Sequence, residues 1–199
     1  PWTVAAGWLD YDRDGRLDLF AANYLDWSPA NNPWCGDKVR DLRMYCHPGH
    51  FRATPNQLYR NRGDGTFEDV SARSGIAAHP GKAMSVAVAD YDLNGYPDIF
   101  VTNDAIANSL FRNRGDGTFE EVAMNAGVAL ATHGRPISSM SAEFRDYNND
   151  GLPDILVTAL AGESFPLFRN AGKGFFEDAA DQSRLAGPVS RISGWCGVI

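Results

Sequence analysis

The chain has 199 residues, 44% of them hydrophobic, and its 25 acidic against 18 basic residues give a net charge of −7. This length accommodates one domain or two small ones, and the apolar fraction is that of an ordinary globular protein. The acidic balance argues against nucleic acid as a partner, and no apolar run approaches the roughly 18 residues of a membrane helix.

The first predicted strand, residues 2–9, runs into the acidic loop D-Y-D-R-D-G-R-L-D at 10–18. Each loop of this kind carries oxygen-bearing side chains at positions 1, 3, 5 and 9, and glycine at position 6, where the sharp turn needs a positive φ. The apolar segments 85–89 and 140–145 lead in the same way into D-Y-D-L-N-G-Y-P-D at 90–98 and D-Y-N-N-D-G-L-P-D at 146–154.

Three calcium sites are predicted from these loops. Ca²⁺ takes roughly six to eight oxygen ligands, and alternate side chains of a tight loop converge on it together with a backbone carbonyl. The first loop has four carboxylates against three in each of the others, so it is predicted to bind most tightly. The predicted ligands are Asp10, Asp12, Asp14, Arg16 and Asp18; Asp90, Asp92, Asn94, Tyr96 and Asp98; and Asp146, Asn148, Asp150, Leu152 and Asp154, with Arg16, Tyr96 and Leu152 contributing backbone carbonyls.

Two other interpretations of the loops compete with this one. An EF-hand needs a glutamate at position 12 and a helix on either side, whereas position 12 is Ala21, Val101 or Val157 here. The segments after the loops are short, apolar and rich in β-branched or aromatic residues, which predicts strands buried on both faces. An Asp-rich turn without metal is the remaining alternative, and three copies in register make it the weaker one.

The segment 25–55 interrupts the first repeat and is predicted to be an inserted loop, a common place for binding in repeat proteins. Cys35, Cys46, His47 and His50 are four candidate zinc ligands, but the close cysteine pair of common structural zinc sites is missing. A Cys35–Cys46 disulfide is therefore the preferred prediction.

A second motif follows each loop, with aromatic and aliphatic residues on both sides of a glycine-rich turn. It predicts a β-hairpin, at 56–70, 108–122 and 165–179. The tripeptide Arg-Gly-Asp at 62–64 and 114–116 falls at the turn, so a turn is preferred over an adhesion signal. In the third copy Lys173 replaces the turn aspartate.

The two motifs together predict an all-β fold, a partial β-propeller of four-stranded blades with calcium-binding loops. Asp90 and Asp146 lie 56 positions apart, and a period near 50 made of four strands is typical of a propeller blade. The predicted boundaries within the single segment 1–199 are about 1–75 for blade 1 with insertion 25–55, about 82–127 for blade 2, about 137–182 for blade 3, and about 189–199 for the start of blade 4.

Cysteine usage and calcium loops together predict an exported protein, extracellular or periplasmic, because calcium is abundant and disulfides persist there. Cys196, in the predicted opening strand of blade 4, is expected to be a buried free thiol. The chain also starts inside a predicted strand, so the sequence predicts an excised or mature piece that forms no closed ring by itself. The remaining blades are expected from the same polypeptide or from a neighbouring subunit.

The alternating motifs resemble FG-GAP or VCBS repeats, the calcium-loop blades of integrin α-subunits and many bacterial exported proteins. The insertion, with N-N-P-W-C-G-D and Y-C-H-P-G, is similar to bacterial relatives of the cartilage acidic protein family, whose blades precede an ASPIC/UnbV domain. The resemblance implies a propeller with calcium at the loop side chains named above. The literal F-G-G-A-P string and an ASPIC/UnbV segment are absent from this sequence, and the family has no single biochemical activity.

The function predicted from these features is an exported module for protein or glycan binding or for assembly, in which calcium is structural and no residue is catalytic. One alternative is a propeller enzyme, a lyase or hydrolase, with its site at the axial channel. Its candidate residues are Arg135, Glu143, Arg145, His79 and His133. The other alternative is a subunit of a larger extracellular assembly or filament.

Overall fold

Each repeat folds as one four-stranded antiparallel sheet in the computed structural model, which describes residues 2–197. The first sheet contains β1 (Thr3–Leu9), β2 (Asp18–Asn23), β5 (Gln57–Asn61) and β6 (Phe67–Asp69), and the insertion adds the two-stranded sheet β3 (Gly36–Asp37) and β4 (Leu42–Arg43). The second sheet contains β7 (Ala83–Ala89), β8 (Asp98–Asn103), β9 (Ser109–Asn113) and β10 (Phe119–Glu121). The third contains β11 (Ser141–Arg145), β12 (Asp154–Thr158), β13 (Leu167–Asn170) and β14 (Phe176–Asp178).

Helical structure among the described residues is confined to single turns. The α-helices are α1 (Ala123–Ala126) and α2 (Ala186–Val189), and 3₁₀ turns cover Pro29–Asn31, Pro48–His50 and Ile76–Ala78. Within residues 2–197 no helix is long and apolar enough to cross a membrane.

The strands that follow the acidic loops are the interior strands of their sheets. All residues of β8 and β12 are buried, as are five of the six residues of β2. This confirms the prediction from their continuous apolar sequences, because a strand with neighbours on both edges and packing on both faces has no polar side to present.

The hairpins form where the second motif predicts them. The Arg62 amide donates to the Thr66 carbonyl at 3.0 Å, and the Asp64 carboxylate accepts from the Thr66 amide and hydroxyl at 2.9 and 2.6 Å. These hydrogen bonds, led by that of the Thr66 hydroxyl, lower the pKa of Asp64. The first Arg-Gly-Asp aspartate thus closes a turn, as the sequence indicates.

Successive sheets pack face to face and share their cores. The first and second sheets meet through residues that include Phe20, Leu58, Ile99 and Phe111, with the Phe20 and Phe111 ring centroids 6.5 Å apart. A second core joins the second and third sheets. Because β7 contacts both β1 and β11, the opening strands of the three sheets are neighbours.

Cys35 and Cys46 form a disulfide with Cα atoms 5.2 Å apart, the pairing that the sequence favours. Two expectations about the end of the chain are wrong for the described residues. Cys196 is free but exposed, and the strand predicted around it, at 193–199, is not formed over 193–197, where the backbone is irregular. Residues 198 and 199 lie outside the described residues.

The physical reason is that the segment has no partner strand. The opening strands β1, β7 and β11 each pair with the strand that follows their own acidic loop, and no such loop and strand follow Cys196 within residues 2–197. The segment lies instead beside the end of β12: the Gly194 amide donates to the Ala159 carbonyl at 2.9 Å, and a Cβ at Gly194 would meet Phe165 at 2.6 Å and Thr158 at 2.9 Å.

Candidate metal centres

The three acidic loops share one backbone conformation. Glycine at position 6 has φ of 84°, 91° and 87° at Gly15, Gly95 and Gly151, as the sequence predicts. Position 4 also has positive φ, 57°, 57° and 60° at Arg13, Leu93 and Asn149. The residue types at position 4 do not predict this conformation, because only asparagine among the three adopts positive φ readily.

The aspartate at position 1 holds the loop closed. The two oxygens of Asp10 accept from the amides of Asp14 and Gly15 at 3.0 and 2.9 Å. Asp90 and Asp146 repeat this pair of contacts at positions 5 and 6 of their own loops. Each carboxylate oxygen has two lone pairs, so this hydrogen bonding leaves acceptor capacity for a cation.

The aspartate at position 9 ties the loop to the third strand of its sheet. Asp98 is fully buried, and its oxygens accept from the amides of Tyr91 and Asn113 at 3.1 and 2.7 Å. Desolvation by burial raises the pKa of Asp98 to about 7, even though these two hydrogen bonds favour the ionised form. Asp18 and Asp154 have the same contacts and pKa values raised by the same cause.

The carboxylates converge in the first two loops. Oxygens of Asp10, Asp12 and Asp18 lie within 4.8 Å of one another, and the same holds for Asp90, Asp92 and Asp98. Asp12 Oδ1 is buried and has no hydrogen-bond partner within residues 2–197. A buried, unpartnered carboxylate oxygen beside two other carboxylates fits a hard divalent cation.

The third loop is more open than the other two. Asp146, Asn148 and Asp150 are exposed, whereas Asp10, Asp12 and Asp14 are half-buried. Its side chains also bond to one another, since the Asn148 amide donates to Asp150 Oδ2 at 2.9 Å.

Arginines distinguish the first loop, which sequence reasoning missed. Arg60 Nε lies 2.7 Å from Asp12 Oδ2, its Nη2 lies 3.1 Å from Asp14 Oδ2, and Arg16 also pairs with Asp14. The equivalent arginines of the other repeats pair with glutamates of their hairpins, Arg112 with Glu120 and Arg169 with Glu177.

Sequence reasoning also missed a hydrogen bond between neighbouring sheets, although its donor is the asparagine of the Arg-Asn pair that repeats in the second motif. The Asn113 side-chain amide donates to the Tyr11 carbonyl in the first sheet's loop at 2.9 Å. Asn170 makes the same bond to Tyr91 at 2.9 Å. Each loop tyrosine also packs on a hairpin phenylalanine of the next sheet, Tyr11 on Phe119 and Tyr91 on Phe176, with centroids 6.0 and 5.5 Å apart.

The chain has relatives among known proteins. The chain is 37% identical over 149 residues to cartilage acidic protein 1 of Homo sapiens, and 33% identical over 136 residues to that of Xenopus tropicalis. These matches cover 74% and 66% of this chain, and about a fifth of the relatives, 19% and 20%.

A solved structure, described as the specific recognition of non-reducing terminal N-acetylglucosamine by an Agrocybe aegerita lectin, superposes with a TM-score of 0.42 at 19% identity. The match covers 86% of this chain and 36% of that one. The FG-GAP-like repeat family matches residues 10–101 and 92–157, which contain all three acidic loops. The chain therefore belongs to the FG-GAP-like repeat family.

Proposed function

We propose that this chain is an exported, calcium-binding β-propeller segment that serves in protein or glycan binding or in assembly, with calcium as a structural ion. The observation that carries the calcium part is the buried, unpartnered Asp12 Oδ1 within 4.8 Å of Asp10 and Asp18 oxygens. The ion would be held by positions 1, 3, 5 and 9 of each loop and by the carbonyl at position 7.

Calcium in these loops would supply positive charge where several carboxylates meet, and it would have no chemical step to perform. The aspartates of the loop hold its backbone in place. The one at position 1 closes the turn, and the one at position 9 fixes the loop to the third strand of the sheet. A cation shared by both positions would lock the two strand ends together. The exported location rests on this calcium chemistry and on the Cys35–Cys46 disulfide.

The three sheets are proposed to be blades 1 to 3 of a propeller, with the boundaries given above up to residue 182. Their neighbouring opening strands and their repeated sheet-to-sheet contact support this arrangement. Among the described residues the Asn61 side-chain amide donates only within its own sheet, to the Leu17 carbonyl, and Phe67 is 41% exposed where Phe119 is 7%. We propose that further blades, from the same polypeptide or from a neighbouring subunit, occupy this surface.

A module without catalytic residues remains the better proposal than an axial-channel enzyme. Of the residues such an enzyme would use, Arg145 forms an ion pair with Glu143 at 3.3 Å, and the His79 ring packs on Phe111 at 6.0 Å. These contacts are structural: the ion pair joins two residues of β11, and the ring contact packs His79 on β9.

Calorimetric titration of the chelator-treated chain with Ca²⁺ tests the proposal. We expect saturable binding, a melting temperature several degrees lower in EGTA than in calcium, and loss of one site in Asp92→Asn. Asp181→Asn is the matched control, because it removes one negative charge outside the loops and should leave binding unchanged. An identical melting curve with and without chelator would contradict the structural role.

A further inference from the structure

A cavity of about 590 Å³ lies between the start of β1 and the insertion. Trp2 and Tyr24, which adjoin β1 and β2, form an aromatic wall with Trp27 of the insertion, and Tyr45 and Phe51 of the insertion also line the cavity. Its volume and its largely apolar lining, in which five of the eleven residues are aromatic, are those of a small-molecule pocket. None of the acidic loops contributes to its lining, so it is separate from the candidate metal centres.

The aromatic wall is fixed in place. The Trp2 ring packs edge-on against Tyr24, with centroids 5.7 Å apart, and at a tilt against Trp27, with centroids 5.6 Å apart. The Tyr24 hydroxyl donates to Oδ2 of Asp104, which directly follows β8 of the second sheet, at 2.5 Å, and the Tyr24 amide donates to the Trp2 carbonyl at 2.9 Å. A wall held by both sheets loses little conformational entropy when a ligand binds.

The opposite wall is braced by the disulfide. The Met44 amide donates to the Cys35 carbonyl at 2.8 Å, next to the Cys35–Cys46 bridge. This bracing holds Arg43 and Tyr45 at the cavity although both are exposed, Tyr45 completely. Rigid aromatic rings left open to water, with Trp2 46% and Trp27 41% exposed, mark a binding surface.

The positive charge of Arg43 at the cavity favours a negatively charged ligand. The Arg43 guanidinium has no carboxylate within ion-pair distance among residues 2–197, unlike Arg40, which pairs with Asp37. Aromatic rings alone would attract a cation, but an unpaired guanidinium beside them repels one. A planar guanidinium favours a carboxylate, which it can bind through two parallel hydrogen bonds.

We propose that this cavity binds an acidic saccharide, a pyranose that carries a carboxylate. The C–H face of the sugar ring packs on Trp2 and Trp27, and the carboxylate pairs with Arg43. The hydroxyl groups stay at the open rim near Asn32, where water and the amide side chain satisfy them. This inference rests on the proposed role as a binding module and supplies its ligand class.

The test uses the whole chain in calcium and follows tryptophan fluorescence and saturation-transfer NMR. Probes are trigalacturonic acid, a glucuronic-acid disaccharide and sialyllactose, with the methyl ester of trigalacturonic acid as the uncharged counterpart. We expect at least one acid to bind, and esterification or Arg43→Gln to weaken that binding by about tenfold or more, the effect of losing a charged hydrogen bond. Trp27→Leu should abolish it.

Trp8→Phe is the matched control, since Trp8 is 56% exposed on β1 and does not line the cavity; its affinities should equal those of the unaltered chain. Equal affinity for acid and ester, an affinity unchanged in Arg43→Gln, or no binding of any of the three acids would overturn the inference. A calcium-dependent melting temperature in the same samples would show that the calcium proposal stands even when the saccharide inference fails.

Discussion

At the scale of single residues, the acidic loops depend on carboxylates that are already hydrogen-bonded before any ion binds. In the first loop Asp10, Asp14 and Asp18 accept backbone amides, whereas Asp12 and the second oxygen of Asp14 are bound by side chains alone. Arg60 contacts both of them. A guanidinium and a divalent cation compete for the same oxygens, so the extra carboxylate of the first loop does not translate directly into tighter binding.

Arg60→Gln is therefore expected to increase the calcium affinity of the first loop about tenfold, because it removes a competing positive charge. Calorimetric titration measures the change. Arg112→Gln is the control, since Arg112 pairs with Glu120 and not with the second loop. An affinity of the first loop that stays the same or falls in Arg60→Gln would mean that Arg60 orients the ligands and does not compete with the ion.

The buried aspartates predict an unusual pH dependence without metal. The pKa of Asp98 is raised to about 7 by burial, whereas an aspartate in an unfolded chain titrates near about 3.9. Between these values the folded chain binds more protons than the unfolded chain, so the stability from this group falls as pH rises through the window. Asp18 and Asp154 shift in the same direction.

In EGTA we expect a higher melting temperature at about pH 5 than at about pH 7.5. Saturating calcium should shrink or reverse the difference, because calcium binds the ionised carboxylates. Scanning fluorimetry across this range measures the melting temperature. A melting temperature in EGTA that rises steadily with pH would contradict a destabilising effect of ionising these buried carboxyl groups.

At the scale of elements, each acidic loop needs two residues with positive φ, and the sequence supplies glycine at only one of them. Leu93 has φ 57° and is 59% exposed, so its side chain contributes little packing while its backbone is strained. A left-handed conformation costs an L-residue about 1–2 kcal/mol.

Leu93→Gly is thus expected to increase the free energy of unfolding by about 1 kcal/mol in urea. Leu17→Gly offers the comparison, because Leu17 is equally exposed at 56% but has no positive φ. Leu17→Gly should leave the free energy of unfolding unchanged or lower it. If both substitutions destabilise to the same extent, relief of strain at position 4 is not the controlling effect.

At the scale of the whole molecule, the sheets are joined by a contact that repeats with the sequence. The hairpin asparagine of one sheet reaches the loop tyrosine of the sheet before it, at Asn113 with Tyr11 and Asn170 with Tyr91. The hydrogen bond crosses a buried interface, where an unmatched carbonyl is costly. It also links neighbouring metal loops, since Tyr11 and Tyr91 sit at position 2 of those loops.

Asn113→Ala should lower the free energy of unfolding by about 1–3 kcal/mol more than Asn61→Ala. Both asparagines accept a glycine amide and donate within their own sheet, but only Asn113 donates to another sheet among the described residues. Urea denaturation of the two variants gives the difference. Equal losses would show that the sheet-to-sheet bond adds nothing beyond the local turn.

The sequence by itself determined the strands, the hairpins, the turn glycines and the Cys35–Cys46 pairing, because these depend on residues close together in the chain. Buried β8 and β12 are readable from unbroken apolar runs, and Gly15, Gly95 and Gly151 from their loop position. The acidic side chains of the first two loops could likewise be assigned to one cluster per loop.

Only the tertiary structure decided what depends on residues far apart. Arg60 lies 48 positions from Asp12, and Asn113 lies 102 positions from Tyr11; no local pattern says which partner such a side chain will find. The same holds for the chain near Cys196, whose apolar sequence predicts a strand but which has no partner strand among the described residues. A strand forms only where another strand pairs with it, and which strands meet is a property of the assembled sheets.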